Sequence, residues 1–207
     1  MAHRLPATHS TGRLRATCAA ALALWIPAGC GGGGGGAAGP GAPPDFGEYE
    51  ATSNALHAQW DAVGATAPAS LPYSGSASYD GVLRLRAEVA AGERKMDGRL
   101  VLNVDFATAT LSGSASGFVD QAGVRLSGTL AVQHGVIDRA ANLGVDYTYS
   151  SVLSGSISGP ADSFAINADM SGDFIGPAHG ATGGVVAGTA SSGFGNGYLF
   201  GDFIAAR

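Results

Sequence analysis

Residues 83–89 read LRLRAEV and residues 100–106 read LVLNVDF, and these two stretches decide the fold. Every second residue in each stretch is apolar, and most of the residues between them are charged or polar. A period of two is typical of a β-strand that has one buried face and one wet face. Such strands usually form antiparallel sheets.

The same alternation recurs through the rest of the chain as far as Arg207. It is clear over residues 124–133 and 163–174, and weaker strands are predicted near residues 108–117, 145–157, 183–190 and 197–206. With the strand that follows Tyr73, the total is eight. No helical period separates them, so parallel crossovers are not expected. We predict an all-β fold, a single eight-stranded antiparallel up-and-down β-barrel. A two-sheet sandwich is the alternative.

The predicted connectors are short and rich in turn residues. They are Gly92 to Gly98, Val119 to Gly123, Ser158 to Asp162, and the dipeptide Asn196-Gly197. A triplet of an apolar residue, Ser and Gly also recurs, ending at Gly75, Gly113, Gly128, Gly155 and Gly172. Its spacing is irregular, so it is no solenoid repeat. Since glycine weakens a strand unless the sheet bends sharply, we interpret the triplets as curvature devices.

The alternation also predicts which side chains fill the barrel. The predicted interior set is Leu83, Leu85, Leu100, Leu102, Val104, Leu126, Leu130, Phe164, Ile166, Phe174 and Phe200. This set is large enough to fill an eight-stranded barrel with its own side chains, which argues against ligand storage in the interior.

The N-terminal part has the organisation of an exported, tethered protein. Residues 1–29 combine a basic start, the apolar run Ala16 to Ile26 and a small-residue exit, which predicts a signal peptide. Residues 30–44 hold Cys30 and the glycine- and proline-rich stretch GGGGGGAAGPGAPP, which predicts a flexible linker. Residues 45–70 are predicted as a short helical segment, and residues 71–207 as the barrel domain.

Cys30 is the expected anchoring residue. Ala28 and Gly29 precede it, as in the bacterial lipobox, where the cysteine is diacylated after cleavage. The alternative is a plain secreted protein with one free thiol. Cys18 lies within the predicted signal peptide, so no intramolecular disulfide is expected in the mature chain.

A short helix is expected between the linker and the barrel. Leu56, Trp60 and Val63 recur at spacings of four and three, Asp45 is placed to cap the start, and Pro68 stops any continuation. We expect this helix to dock Trp60 on the barrel. A partner-binding helix is the alternative.

The charge balance excludes one class of function. Without Arg4, Arg13 and Arg15 of the predicted signal peptide, 8 Lys and Arg face 16 Asp and Glu, a net charge of −8. A chain this acidic lacks the basic footprint that nucleic acid or an anionic membrane surface requires. Nucleic acid is therefore not an expected partner.

Several glycine-rich motifs resemble those of a known family. They are GDFIGP at residues 172–177, the pair Gly183-Gly184, GDFIAAR at residues 201–207, LPYSGSASYD at residues 71–80 and VDFATATLSGS at residues 104–114. Together they resemble the barrel domain of transferrin-binding-protein-B-like surface lipoproteins, in which a cysteine and a polyglycine tether also precede the domain.

The resemblance implies an eight-stranded barrel lipid-anchored in the cell outer membrane through Cys30, facing either the cell surface or the periplasm. Members of this group bind transferrin, complement regulators, haemoglobin or haem. The resemblance implies a binding module for a partner protein or a small ligand such as haem. The alternative is a structural envelope lipoprotein with no discrete ligand.

No sequence motif supports an enzyme. Gly-x-Ser-x-Gly, His-Glu-x-x-His and Cys-x-x-Cys are all missing from the sequence, and we predict no enzymatic activity, no cofactor and no metal site. The candidate ligand-binding residues are His57, His134 and His179. The up-and-down topology predicts that all three lie at one end of the barrel. Either they are scattered surface residues, or two of them ligate haem iron or a transition metal.

Overall fold

The computed structural model describes residues 44–207. The chain begins there with one helix, α1 (Phe46–Trp60), and a short 3-10 turn (Pro68–Ser70) leads into the strands. The strands are β1 (Ser76–Val89), β2 (Gly92–Asp105), β3 (Thr110–Asp120), β4 (Ser127–Ile137), β5 (Tyr149–Ser158), β6 (Ser163–Ile175), β7 (Ala181–Ser192) and β8 (Gly195–Ala206). The predicted signal peptide, Cys30 and the linker up to residue 43 lie outside the described residues.

The strands form one closed barrel in the order in which they occur along the chain. Each strand pairs antiparallel with its neighbours in sequence, and β1 pairs antiparallel with β8 to close the sheet. The predicted fold class, an up-and-down eight-stranded barrel preceded by a short helix, is therefore confirmed. Closure gives each of the eight strands two neighbours, so the sheet has no free edge strand for edge-to-edge association.

The interior of the barrel is filled by its own side chains. Ten of the eleven predicted interior residues are buried. The prediction for Phe200 is wrong, because this side chain is 36% exposed and Leu199 is buried instead. Tyr198, Leu199 and Phe200 are consecutive and apolar, so alternation alone does not fix the register there. A slip of one residue exchanges the two faces of a strand.

Two of the predicted connectors also lie elsewhere. β2 begins at Gly92, so the stretch predicted as a turn belongs to a strand, and only residues 90 and 91 join β1 to β2. The β7–β8 turn is Gly193-Phe194, whereas Asn196-Gly197 lies within β8. Glycine is needed at 197 for another reason: a Cβ there would lie 1.9 Å from the carbonyl oxygen of Glu88. A glycine that is required by close backbone approach therefore gives the same sequence signal as a turn glycine.

Two glycines of the repeated triplets, Gly113 and Gly155, lie where neighbouring strands approach closely, whereas nothing lies within 4 Å of a Cβ added to Gly75. Gly155 of β5 has a φ of 148°, and a Cβ on it would lie 2.5 Å from the carbonyl oxygen of Thr129. The corresponding distance from Gly113 of β3 to the carbonyl oxygen of Val101 is 2.2 Å. A larger residue would force the strands apart at these points. Glycine at these two positions permits close backbone approach, and the curvature interpretation stays a prediction.

Helix α1 packs against the outer wall of the barrel. Asp45 and Glu48 form a reciprocal capping box, each side chain accepting a hydrogen bond from the other residue's backbone N–H at 2.8 Å. Tyr49 packs with Val82 and Val119 on the wall. Its hydroxyl donates to the carbonyl oxygen of Gly117 at 3.1 Å. The predicted helix and its Asp45 cap are confirmed.

The up-and-down topology gives the barrel two distinct ends. One end, called the closed end below, carries the connections at residues 106–109, 138–148 and 176–180. The other, called the pocket end, carries residues 90–91, 121–126, 159–162 and 193–194. In the described part of the chain, no helix has the length and apolar character needed to cross a membrane.

Candidate functional site

The three candidate histidines lie toward the closed end, as the topology predicts, but they have different neighbours. His57 is in the last turn of α1, with Nδ1 3.0 Å from Asp61 and Nε2 3.8 Å from Asp202 of β8. His134 is exposed in β4, three residues before the strand ends. His179 is in the 3-10 turn Pro177–His179 between β6 and β7.

This placement does not assemble a shared ion site from the three histidines. His57 lies against β8 and His134 lies in β4, and these two strands are opposite one another in the closed order. Facing β-sheet walls lie about 10 Å apart, whereas a zinc–nitrogen bond is about 2.0–2.1 Å long. Within residues 44–207, no group of three or more His, Cys, Asp or Glu side chains could hold a metal ion.

His179 is part of the seal of the closed end. Its ring packs edge-on against Phe106, with centroids 4.8 Å apart, and its carbonyl oxygen accepts a hydrogen bond from the hydroxyl of Tyr79 at 2.9 Å. Burial, with a smaller contribution from the Arg207 charge, lowers the pKa of His179. Burial raises the pKa of Tyr79 to about 12, so this hydroxyl stays protonated and remains a donor. His179 therefore has a packing role in the described structure.

Two further contacts complete the seal. Nη2 of Arg139 donates to the carbonyl oxygens of Pro72 and Phe106, at 2.6 and 2.7 Å, and its guanidinium lies 4.7 Å from the centre of the Tyr73 ring. These bonds hold the segment before β1 across the end of the barrel. Leu71 of this segment is 1% exposed and belongs to the barrel core.

Trp60 docks on the same end, as expected from the sequence. Its ring lies against Gly176 and Gly180 of the β6–β7 connection, where an added Cβ would come within 2.8 and 2.7 Å of ring atoms. Glycine at these two positions thus makes room for the indole. The helix is joined to the closed end by this contact.

The pocket end carries a concave apolar site of about 280 Å³. Its floor is formed by three residues at the end of the barrel core, Met96, Leu126 and Phe164, which are 1%, 9% and 4% exposed. The rim is formed by the connections at residues 121–126 and 159–162, together with Arg94 of β2. The connections thus close over the ends of the core side chains without filling the space above them.

One carboxylate in this pocket has an unused oxygen. Oδ1 of Asp162 accepts hydrogen bonds from the backbone N–H groups of Ser163 and Gly193, at 2.8 and 3.2 Å. These bonds tie the β5–β6 connection to the β7–β8 turn. Oδ2 of Asp162 is buried from solvent and has no hydrogen-bond partner.

Arg94 and Asp120 add charge to the rim. Arg94 precedes the buried Met96 by two residues in β2, so it extends the inward-facing row of that strand to the mouth of the pocket. Oδ1 of Asp120 accepts from the backbone N–H groups of Ala122 and Val124, which fixes the β3–β4 connection. The pocket therefore combines an apolar floor with two carboxylates and one guanidinium.

Exposed apolar residues occur at both ends of the barrel, and at the closed end they include Val145 and Tyr147, which are 78% and 45% exposed. Val124 in the rim is 37% exposed, and Phe194 in the β7–β8 turn is 52% exposed. Tyr198, at the start of β8, is 75% exposed. Aromatic residues of this kind are enriched where proteins bind partners. The surface near the pocket is therefore not uniformly polar.

A second buried carboxylate lies outside the pocket, on the wall near α1. Asp97 of β2 is 2% exposed, and its Oδ2 is 3.9 Å from Nε of Arg84. Burial raises the pKa of Asp97 to about 6, with the Arg84 charge acting in the opposite direction. Arg84 also faces Glu50 of α1 at 3.9 Å. None of these three residues lines the pocket.

The sequence indicated the connections that form the pocket but not the pocket itself. Residues 119–123 and 158–162 were predicted as turns, and most of these residues do lie in connections. These two connections meet above Met96 because of the stagger of the strands. The stagger cannot be deduced from the periodicity of the sequence. Arg94 and Met96 are two residues apart and therefore face the same side of β2. This signal was available in the sequence, but it was not used because the stretch was predicted as a connector.

No protein-family model and no curated protein matches this chain. The resemblance to transferrin-binding-protein-B-like lipoproteins therefore stays a prediction from the quoted motifs.

Proposed function

We propose that this chain is an outer-membrane lipoprotein, anchored through Cys30, whose barrel is a non-enzymatic binding module for a partner protein or a small ligand. The observation that carries the proposal is the difference between the two ends. The closed end has two concavities, of about 250 and 360 Å³, lined largely by Asp, Ser and Tyr residues, whereas the concavity of about 280 Å³ at the pocket end has an apolar floor of Met96, Leu126 and Phe164. Ligand sites are typically concave and apolar, with a few polar groups that fix orientation.

The barrel acts as a scaffold in this proposal. Its interior is filled by core side chains, so the ligand occupies the mouth and contacts the connections above the core. Connections held by a rigid scaffold commonly carry the binding residues of a protein. Asp162 and Asp120 fix two of these connections through backbone hydrogen bonds, so the site is formed before the ligand arrives.

Haem is not the ligand that the geometry favours. The candidate histidines His57, His134 and His179 lie toward the closed end, and none of them lines the pocket. Haem iron ligated by two histidines would need both on one site, but His57 and His134 lie at opposite walls. His57 and His134 therefore do not form a bis-histidine haem site, and the ring of His179 packs against Phe106.

The test is a capture experiment with the full chain and two tryptophan variants. Ala161→Trp adds bulk to the rim of the pocket at an exposed position, and Val145→Trp adds the same bulk at the closed end, where Val145 is 78% exposed. Bound proteins and small molecules are identified by mass spectrometry after recovery from the cell envelope, with an absorbance scan after addition of haemin.

We expect the wild-type chain and Val145→Trp to retain the same bound material and Ala161→Trp to lose it. Retention by both variants would show that binding occurs elsewhere. A wild-type chain that retains nothing above the background of an unrelated lipoprotein would support the structural-lipoprotein alternative.

A further inference from the structure

Arg94 is a charged side chain within reach of a ligand in the pocket. It lines the rim, and its cross-strand partner in β1 is Ala87, which is fully buried in the barrel core. Directly opposed residues of an antiparallel pair have their side chains on the same face of the sheet, so Arg94 stands on the inward face beyond Met96. Unlike Met96, Arg94 is exposed to solvent.

Within residues 44–207, the guanidinium of Arg94 makes no hydrogen bond and no ion pair. The two carboxylates of the lining are engaged, because Asp120 and Asp162 each have one oxygen that accepts from two backbone N–H groups. The second oxygen of Asp162 is buried from solvent and is therefore out of reach of a ligand in the open pocket. An arginine presents its N–H donors in a planar fork that matches a carboxylate. Arg94 is thus the charged group of the lining that is left to contact a ligand.

The apolar floor of the pocket, formed by Met96, Leu126 and Phe164, suits an aliphatic chain. An engineered apolar cavity of about 150 Å³ binds benzene, so about 280 Å³ accommodates a chain of several carbons. A chain that lies on the floor brings its outer end to the rim, where Arg94 lies.

Resting on the proposed function, we propose that the pocket end binds a small aliphatic molecule that ends in a carboxylate, such as a short fatty acid. The carboxylate accepts hydrogen bonds from the guanidinium of Arg94, and the chain lies on the apolar floor. Asp120 and Asp162 hold the connections in place. Because they already give the lining two negative charges, a carboxylate monoanion is favoured over a phosphate dianion.

The experiment uses four probes that share one chain and differ in the head group. Octanoate, 1-octanol, octylamine and octyl phosphate are titrated calorimetrically, at neutral pH, into the purified full chain carrying Cys30→Ala, so that no acyl group at Cys30 competes. We expect octanoate to bind about fivefold more tightly than 1-octanol, the size expected for an ion pair that stays partly exposed. Octylamine and octyl phosphate should bind less tightly than octanoate.

Chain length tests the contact with the apolar floor. Hexanoate lacks two methylenes of octanoate and should bind about fifteenfold less tightly, since each buried methylene contributes about fourfold to the affinity.

Two arginine variants locate the head group. Arg94→Gln should weaken octanoate about fivefold and leave 1-octanol unchanged. Arg86→Gln is the matched control, because Arg86 is exposed on β1 between the buried Leu85 and Ala87 and therefore faces outward. It removes the same charge and should leave the affinity of every probe unchanged. Ala161→Trp should weaken all the probes.

Each departure from this pattern has a distinct meaning. Any other head group binding at least as tightly as octanoate, or equal effects of Arg94→Gln and Arg86→Gln on octanoate, would overturn the carboxylate assignment. The pocket would remain a binding site in that case if Ala161→Trp still weakened binding. Failure of every probe to bind would overturn this inference, while the capture experiment still decides the proposed function. Probe binding that is unaffected by Ala161→Trp would contradict both.

Discussion

Replacing Phe174 by alanine tests the packing of the barrel most stringently. The Phe174 side chain is fully buried, and its ring centre lies 6.0, 5.7 and 5.3 Å from those of Tyr79, Phe106 and Tyr149. Truncation of a buried phenylalanine costs about 3–5 kcal/mol. Aromatic pairs add about 0.5–1.5 kcal/mol beyond burial, so we expect the upper part of that range, about 4–5 kcal/mol.

Phe200→Ala is the matched control, because it removes the same side chain from a position 36% exposed on the outer face of β8. We expect it to cost about 1 kcal/mol or less. The assay is a urea titration followed by tryptophan fluorescence and circular dichroism. In thermal unfolding, Phe174→Ala should lower Tm by about 10–20 °C for a domain of this size. A loss below about 1.5 kcal/mol for Phe174→Ala, or equal losses for the two variants, would refute the assigned register.

Three other changes give further tests. Cys30→Ala should release the protein from membranes after a salt wash, measured by fractionation; continued association with membranes would contradict anchoring through Cys30. Burial raises the pKa of Asp97 to about 6, so the folded state is favoured when this carboxyl is protonated. This contribution to the free energy of unfolding is fully present below the pKa of the unfolded chain, about 3.9, and is lost as pH rises through 6. The free energy of unfolding should therefore fall by on the order of 2 kcal/mol between pH 4 and pH 7, relative to Asp97→Asn; parallel pH profiles would contradict this. Gly184→Ala should destabilise the barrel by more than Gly183→Ala, because the added Cβ would lie 2.0 Å from the carbonyl oxygen of Ser171 rather than 3.2 Å from that of Phe203; equal Tm values would contradict the close approach.

The fold was predictable because the signals that specify it are local. Alternation such as that of residues 83–89 identifies strands, and the short connections between strands leave only antiparallel neighbours. Asp45 identified the start of α1 in the same way, and the capping box that it forms with Glu48 spans only four residues. The barrel closes because the first and the last of the eight strands can pair with each other.

The errors arose where two physical causes produce one sequence signal. Gly197 was interpreted as a turn glycine, but it is required by the close approach of Glu88. Phe200 was placed inside because three consecutive apolar residues satisfy both registers. The charged start of β2 was interpreted as a connector. Side chains at strand ends near the mouth of a barrel do not alternate between buried and exposed positions, so the period of two is missing there.

The candidate site was less predictable, because it depends on contacts between distant parts of the chain. Histidines attract attention in a sequence, and their placement toward one end was predictable from the topology. Asp162 attracts none, because its unused oxygen becomes evident only when Ser163 and Gly193 are seen to occupy the other one. The meeting of residues 94, 126 and 164 likewise depends on the three-dimensional stagger of the strands.

The most direct measurement of the central claim is photo-crosslinking in living cells. A benzophenone amino acid is placed at position 161, on the rim of the pocket, or at position 145, which is also exposed but lies at the closed end. The account predicts that irradiation attaches a partner or ligand at position 161 and leaves position 145 unmodified. Crosslinking at position 145 alone, or equal yields at the two positions, would contradict the assignment of the pocket end as the binding surface.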